Sequence, residues 1–251
     1  MKDIYLSVII PSYDEMANLQ KGVLDKMLQF LKKKKFSFEM IVVDDGSKDG
    51  SVEFVEAFAK EHSELTIIKN KHLGKAGAVT TGMLKALGKY HLFTDMDQAT
   101  PIEELDKLLP FLEKDFAVAI GSRSTTRKGA PLTRQFISRS NIILRKLIVG
   151  LPKITDTQCG FKMFTKEASV NIFQKIFDMH QGFTKISGSS VASGFDVELL
   201  YIADKMGYKI KEVPVHWLYV ETRRVNPVKD SIKGLQALFE IRLNRMRNKY
   251  S

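Results

Sequence analysis

Residues 91–101 read His-Leu-Phe-Thr-Asp-Met-Asp-Gln-Ala-Thr-Pro, an apolar strand pattern that runs into two carboxylates one residue apart. Because alternate side chains of a strand point to the same side, Asp95 and Asp97 can converge on one point. Two hard oxygen ligands at a strand end suit Mg²⁺ or Mn²⁺, above all a metal that also contacts substrate phosphates. The stretch therefore predicts a buried strand with a divalent metal site at its carboxyl end.

A second apolar run also ends in acidic residues. Residues 40–50 read Met-Ile-Val-Val-Asp-Asp-Gly-Ser-Lys-Asp-Gly. One Asp-x-Asp pair alone is most often a solvated loop or a helix cap, but two acidic strand ends in one alternating chain favour a shared site. The alternative for Asp44 and Asp45 is a cluster at a helix N-terminus, with Ser47 as the N-cap.

Short apolar runs alternate with helical patterns through the first half of the chain, which is typical of a parallel sheet with helices on both faces. In such sheets ligands bind beyond the carboxyl ends of the strands. The polar clusters that begin at Pro11, Asp44 and Asp95 should therefore face one crevice. The predicted strands are 5–10, 38–43, 65–69, 90–94 and 116–120, and the predicted helices are about 17–34, 49–60, 75–88 and 102–113.

Length and cysteine content narrow the class of protein. A chain of 251 residues fits one large domain or one and a half. The single cysteine, Cys159, excludes a disulfide framework and a cysteine-rich zinc site, so a reducing cytoplasm is expected. The N-terminal residues show no signal-peptide pattern, and no window approaches the roughly 18 apolar residues of a membrane span.

The net charge of +10 is concentrated in two segments. Residues 121–155 contain eight basic residues and no acidic one, and residues 222–251 contain eight basic and two acidic residues. Localised positive charge indicates an anionic partner: a membrane surface, a phosphorylated ligand or nucleic acid. Nucleic acid is disfavoured, because aromatic residues are not interleaved with the basic ones and no groove-reading motif is present.

Several short motifs follow one another along the chain. The first four are Val-Ile-Ile-Pro-Ser-Tyr-Asp-Glu (8–15), Ile-Val-Val-Asp-Asp-Gly-Ser (41–47), Gly-Lys-Ala-Gly (74–77) and Phe-Thr-Asp-Met-Asp (93–97). The later ones are Gly-Ser-Arg (121–123), Asp-Thr-Gln-Cys-Gly-Phe-Lys (156–162), Gly-Phe-Asp-Val-Glu-Leu-Leu (194–200), Glu-Val-Pro-Val-His-Trp (212–217) and Arg-Val-Asn (224–226).

Taken in order, the motifs resemble glycosyltransferase family 2 and its GT-A fold, a Rossmann-like, mainly parallel α/β sheet. The later motifs resemble those of the dolichyl-phosphate or polyprenyl-phosphate glycosyltransferases, the glucosyl branch more than the mannosyl branch. Asp14 departs from the family, in which Asn is usual before Glu15, and so does the Gln-Ala-Thr-Pro run at 98–101.

The resemblance implies an inverting transfer of a hexose, with glucose favoured, from a nucleotide-diphospho-sugar to a polyprenyl or dolichyl phosphate. It implies Asp97 as the first ligand of Mg²⁺ or Mn²⁺, with Asp95 as a second ligand or a contact to the ribose and sugar. The remaining residues expected on the nucleotide-sugar side are Pro11, Tyr13 and Glu15 around the nucleoside, Asp45 toward the base, and Lys75.

The acceptor side depends on the nucleophile. A lipid phosphate has a second pKa near about 6, is already ionised at neutral pH and needs no general base. It needs cations, for which Arg123 and Lys162 are the candidates, joined by Arg224 on closure. A sugar hydroxyl would instead require a carboxylate base. Asp156, to which the resemblance assigns that role, and Asp196 are available, although Asp196 can equally be the cap of a helix at 196–206.

Two basic segments have the pattern of amphipathic helices that lie in a headgroup layer. We expect residues 1–225 to form the catalytic domain, with a membrane-docking insertion at 131–151, and residues 226–251 to form a C-terminal basic helix. The alternative is that both helices simply face the core. These expectations make the protein peripheral on the cytoplasmic face of a membrane. The competing functions are a soluble family 2 enzyme acting on a saccharide or protein hydroxyl, and the mannosyl (GDP-mannose) version of the lipid reaction.

Overall fold

The computed structural model describes residues 3–123, 148–183, 194–218 and 227–250, and for residues 227–233 the backbone only. Within these ranges seven strands form one sheet in the order β3-β2-β1-β4-β6-β5-β7, and β6 is antiparallel to both of its neighbours. The strands are β1 (Leu6–Ser12), β2 (Phe38–Asp44), β3 (Leu65–Lys69), β4 (Tyr90–Thr94), β5 (Val118–Ser122), β6 (Phe161–Thr165) and β7 (Ile210–Pro214).

Helices cover both faces of the sheet, so the apolar core has two halves. Along β1, Val8 and Ile10 belong to one half and Ile9 to the other, as the two-residue period of a strand requires. The main helices in the described ranges are α1 (Met16–Leu19), α2 (Val23–Lys32), α3 (Ser51–Glu61), α4 (Gly74–Lys85), α5 (Leu105–Leu112), α6 (Lys166–Met179), α7 (Phe195–Lys205) and α8 (Pro227–Met246).

The predicted α/β class with a mainly parallel sheet is confirmed, whereas some of the predicted elements are wrong. The helix predicted at about 17–34 is two helices, because Gly22 adopts a left-handed φ of 71° between α1 and α2. The helix predicted at about 102–113 begins as a 3₁₀ turn, Ile102–Glu104, before α5. Strands β6 and β7 and helix α6 were not among the predicted elements.

The antiparallel direction of β6 matters for function. Its register places Thr94 opposite Phe161, so the first residue of β6 lies at the edge where β4 ends. Strands β5 and β7 pair Ser122 with Pro214 and end at the same edge. The carboxyl ends of β1, β2, β4, β5 and β7, together with the start of β6, therefore converge on one crevice.

Candidate active site

The predicted metal ligands lie in a tight turn after β4. Asp97 Oδ1 accepts a hydrogen bond from the Ala99 amide at 3.0 Å, and the Asp95 carbonyl accepts one from the Gln98 amide at 3.2 Å. Burial raises the pKa of the Asp97 carboxyl, and the neighbouring Asp95 charge raises it further. This turn thus holds two carboxylates close enough to repel each other, an arrangement that a cation relieves.

Two further groups fix the Asp95 carboxylate. The Lys75 ammonium, at the start of α4, lies 2.5 Å from Asp95 Oδ1. Gly160, just before β6, lies so close to Asp95 Oδ2 that a β-carbon there would overlap it. The side chain is held between a cation and a bare backbone segment.

Lys162, for which the sequence predicts a contact with an acceptor phosphate, is buried. Its side chain is 0% exposed, and its ammonium lies 2.5 Å from Asp196 Oδ1 and 2.6 Å from the Cys159 carbonyl oxygen. It also lies 5.1 Å from the ring centroid of Phe93. In this arrangement Lys162 neutralises Asp196 at the start of α7.

Arg123 and Asp156, predicted to act separately on the acceptor, bind each other. Arg123 donates from Nε to Asp156 Oδ2 at 2.8 Å and from Nη2 to Oδ1 at 2.9 Å, and its backbone amide donates to Oδ2 at 2.9 Å. Although burial opposes ionisation, these contacts lower the pKa of Asp156 to about 2. While it is paired with Arg123, so acidic a carboxyl is a weak base.

The ends of β1 and β2 form the opposite wall of the crevice. Both oxygens of Asp45 accept backbone N–H groups, from Leu73 and Gly74, each at 2.7 Å. Burial nevertheless raises the pKa of Asp45. The Asp44 carboxylate accepts from the amides of Gly46 and Ser47 at 2.9 and 3.1 Å and so closes the loop after β2. The alternative that Ser47 is a helix N-cap is wrong, because α3 begins at Ser51 with Gly50 as its N-cap.

Aromatic rings line this wall. Tyr13 stacks on His72 with ring centroids 4.5 Å apart, and His72 Nδ1 lies 2.7 Å from the Asp45 carbonyl oxygen. Pro11 and Glu15 are half-buried beside them. The four predicted residues Pro11, Tyr13, Glu15 and Asp45 are thus brought together.

Asp14, which replaces the usual Asn, has a structural reason to be there. It adopts a left-handed φ of 51°, a conformation that Asn and Asp tolerate better than other side-chain-bearing residues. Its Oδ1 accepts the Lys48 amide at 2.8 Å, and its own amide donates to Ser47 Oγ at 2.9 Å. The residue ties the β1 loop to the β2 loop.

Sequence reasoning missed three residues of the crevice: His72, Gly160 and Glu212. Glu212 accepts the amides of Thr155 and Asp156, each at 2.8 Å, and so fixes the loop that presents Asp156 to Arg123. Glu212 and Gly160 fall inside motifs that the sequence analysis quoted, but nothing in those motifs gives the individual roles. His72 lies outside them.

The donor set fits a divalent metal that is shared with a substrate. In the described part of the chain, no group of three or more His, Cys, Asp and Glu side chains converges as a metal cage would. Asp95 and Asp97 offer hard carboxylate oxygens, which suit Mg²⁺ or Mn²⁺, and these ions usually complete their shells with water and substrate phosphates.

The C-terminal helix has two unlike sides. Toward the protein, Ile241 is buried and Ala237 packs so closely on Gly194 that a β-carbon on Gly194 would lie 2.6 Å from that of Ala237. Toward solvent it exposes Leu235, Phe239, Leu243 and Met246 by 39, 51, 47 and 71%. No helix among the described residues combines the length and apolarity needed to cross a bilayer.

The predicted insertion lies, for residues 131–147, outside the described residues, as does Arg224.

The sequence matches a known protein family and several characterised proteins. Residues 7–173 match the family model of glycosyl transferase family 2. A dolichyl-phosphate beta-glucosyltransferase of Dictyostelium discoideum is 33% identical over 258 residues, covering 96% of this chain and 74% of the relative. The Drosophila melanogaster protein of the same description is 35% identical over 241 residues, covering 88% of this chain and 69% of the relative.

A solved structure gives the class of fold. The mannosyltransferase PcManGT from Pyrobaculum calidifontis, in complex with GDP-Man and Mn²⁺, superposes with a TM-score of 0.61 at 19% identity, over 98% of this chain and 65% of that chain. The architecture is that of the GT-A glycosyltransferases. The chain belongs to glycosyl transferase family 2.

Proposed function

We propose that the protein transfers glucose from a nucleotide-diphospho-glucose to dolichyl phosphate, with inversion at the anomeric carbon. The observation that carries this proposal is the match to dolichyl-phosphate beta-glucosyltransferases over 96% of the chain. That match extends past the nucleotide half of the sheet into the half containing Arg123, Asp156 and Lys162.

On the donor side, Asp95 and Asp97 are the residues that would hold the divalent metal. When bound, Mg²⁺ or Mn²⁺ neutralises the diphosphate and makes it a better leaving group. Pro11, Tyr13 and Glu15 would enclose the nucleoside. Asp45 is held rigidly by two amide donors, so it can present its remaining lone pairs to the base without reorganisation.

On the acceptor side, the phosphate oxygen is itself the nucleophile and is ionised near neutral pH, its second pKa being about 6. No proton has to be removed, which agrees with the acidity of Asp156. Arg123 is the cation that would guide the phosphate. Asp156 holds its guanidinium in a two-point contact, and Trp217 lies with its ring centroid 5.8 Å from the guanidinium carbon. Arg224 stays a proposed partner.

Lys162 and Asp196 are proposed to act as positioning residues rather than as direct ligands. The buried Lys162 ammonium holds the Asp196 carboxylate at the first turn of α7 and the Cys159 carbonyl beside Gly160. This pair therefore supports the backbone against which Asp95 rests.

The direct displacement fixes the stereochemistry. Phosphate attack opposite the departing diphosphate inverts the anomeric centre, so an α-linked nucleotide sugar gives a β-linked lipid product. A covalent sugar intermediate would require a nucleophilic side chain and two displacements. The anomeric coupling constant of the product, read by proton NMR, separates the two routes: retention would exclude the single displacement.

We further propose that the protein works at a membrane surface, on the cytoplasmic side. Leu235, Phe239 and Leu243 recur every four residues and so form one apolar stripe along α8, with Met246 continuing it. Arg242, Arg245 and Arg247 accompany the stripe, a composition suited to anionic headgroups. Residues 131–151 and 226–251 remain the proposed docking segments, and residues 1–225 the catalytic domain.

The activity is tested by incubating the protein with dolichyl phosphate, Mn²⁺ and a panel of nucleotide sugars, and identifying the glycolipid by mass spectrometry. We expect a hexosyl-phosphodolichol from UDP-glucose. Product from GDP-mannose alone would assign the mannosyl branch. Turnover only with saccharide or protein acceptors would overturn the lipid assignment.

Membrane docking is tested by flotation with vesicles. We expect binding to phosphatidylcholine vesicles that contain phosphatidylserine, and a loss of binding in Phe239→Ser/Leu243→Ser. Leu87→Ser is the matched control, because Leu87 is 59% exposed and lies in the loop between α4 and β4 rather than on α8. Equal flotation of both variants and the unmodified protein would exclude the α8 stripe as the membrane-docking surface.

A further inference from the structure

Lys75 stands where it can compete with a metal ion. Its ammonium lies 2.5 Å from Asp95 Oδ1, so the two groups form a direct ion pair. The other oxygen of the same carboxylate faces Gly160. Of the two proposed metal ligands, Asp95 is therefore already neutralised and fixed in place by groups of the protein itself.

A lysine side chain carries a positive charge at neutral pH, and that of Lys75 is in direct contact with the Asp95 carboxylate. Asp196 has its own counter-ion in Lys162. Lys75 is thus the cation that balances the Asp95–Asp97 pair.

A bare metal ion has little to gain from displacing this cation. In the described residues no third His, Cys, Asp or Glu joins Asp95 and Asp97. As far as the described residues go, a free Mn²⁺ would have to replace the ammonium at Asp95 and take most of its remaining ligands from water. A nucleoside diphosphate changes the balance, because its oxygens supply further metal ligands and its negative charge gives the displaced ammonium a new partner.

We propose that Lys75 is a counter-ion of the Asp95–Asp97 pair that lowers the affinity of this pair for free divalent metal. When the metal binds together with a nucleoside diphosphate, the Lys75 ammonium leaves Asp95 and pairs with the diphosphate. The diphosphate partner rests on the proposed function, whereas the competition between Lys75 and the metal rests on the geometry alone. Lys75 therefore pairs with Asp95 in the metal-free protein and with the diphosphate once metal and nucleotide are bound.

The competition is tested by titrating the protein with Mn²⁺ alone and measuring free Mn²⁺ by electron paramagnetic resonance. We expect Lys75→Met to bind bare Mn²⁺ about 10- to 150-fold more tightly than the unmodified protein, the factor that corresponds to one charge-assisted hydrogen bond. Lys75→Arg should stay near the unmodified affinity. Lys85→Met is the matched control, because Lys85 is an exposed lysine on the last turn of the same helix.

The release is tested by repeating the titration with saturating UDP. Because coupling between two ligands is reciprocal, the factor by which UDP tightens Mn²⁺ binding should be smaller in Lys75→Met than in Lys85→Met. Unchanged bare-metal affinity in Lys75→Met, or an unchanged coupling factor, would overturn the proposal. Neither measurement uses a sugar or a lipid, so an incorrect sugar or acceptor assignment would appear in the glycolipid assay and leave these results intact.

Discussion

Gly160 and Asp95 are packed against each other across the β4–β6 register, with no space for a β-carbon between the glycine backbone and the Asp95 carboxylate. Thr94 pairs with Phe161, so the residues that flank this pair face each other at the sheet edge. A glycine is needed here because of this close approach, not because of its backbone angle. The contact makes the metal-ligand position depend on a residue that carries no side chain.

Gly160→Ala should displace Asp95 and weaken Mn²⁺-dependent transfer about 100-fold or more, since even small misplacements of reacting groups have effects of this size. The melting temperature should change little, because Asp95 lies at the rim of the crevice and can turn toward solvent. Steady-state kinetics and thermal denaturation measure the two effects.

The matched control is Gly234→Ala. Nothing lies within 4 Å of a β-carbon at Gly234, which is inside α8. Alanine there should stabilise the protein by about 0.5–1 kcal/mol without changing activity. Full activity in Gly160→Ala would show that the position of Asp95 does not matter for catalysis.

The sequence predicted the part of the fold that local patterns specify. Continuous apolar runs located β1 to β5 within about two residues, and the strand-end rule brought Pro11, Asp45 and Asp95 to one crevice. Strand β6 was missed because its side chains, Phe-Lys-Met-Phe-Thr, include a lysine that is buried only through its pairing with Asp196. A pattern of apolar residues does not register a buried ion pair.

The candidate site was predicted by residue type but not by pairing. Arg123, Asp156, Lys162 and Asp196 were all identified, yet the sequence could not show that they neutralise each other two by two. Those pairings join residues 33 or 34 positions apart, and they depend on how β5, β6 and α7 meet in space. The positioning roles proposed above for Lys162 and Asp156 rest on these long-range contacts.

His91 should make the stability of the fold depend on pH. Its ring is buried, with Nε2 3.0 Å from the Gly88 carbonyl oxygen and Nδ1 2.8 Å from Ser169 Oγ. Burial, aided by the charge of Lys166, lowers its pKa from 6.5 to about 4. In the unfolded chain the His91 ring is therefore protonated below pH 6.5, whereas in the folded protein it stays neutral down to about pH 4.

Above pH 6.5 His91 is neutral in both states and does not lower the free energy of unfolding. As the pH falls from 6.5 toward 4, only the unfolded chain binds the proton, so the free energy of unfolding decreases. Between pH 7.5 and pH 5 the loss from His91 alone should be about 2 kcal/mol. Urea denaturation of the unmodified protein and of His91→Gln at both pH values isolates this contribution, because the carboxyl groups titrate in both proteins. Equal losses in the two proteins would exclude His91 as the source.

Lys162→Met should destabilise the protein by about 3 kcal/mol, because it leaves the Asp196 carboxylate and the Cys159 carbonyl without their cation. Lys162→Met/Asp196→Asn should recover part of that loss, since no unpaired charge then remains. Urea denaturation measures both. A fully stable Lys162→Met variant with a raised KM for dolichyl phosphate would instead restore the direct phosphate contact predicted from the sequence.

Asp156→Asn distinguishes a base from a positioning residue. The asparagine keeps the size of the side chain but loses the charge that orients the Arg123 guanidinium through two hydrogen bonds. If Asp156 positions Arg123, the KM for dolichyl phosphate should rise and kcat/KM should fall about 10- to 150-fold, the range for one charge-assisted contact. The shape of the pH profile should not change, because no proton leaves the acceptor through Asp156.

Nucleotide affinity, measured without acceptor, should stay within about twofold, since Asp156 lies away from the ends of β1 and β2. The same kinetics on Asp178→Asn, an exposed carboxylate on α6, control for the loss of one negative charge. If Asp156→Asn instead lowers kcat at unchanged acceptor KM and removes the acid limb of the pH profile, Asp156 is the general base, and the acceptor is a hydroxyl rather than a phosphate.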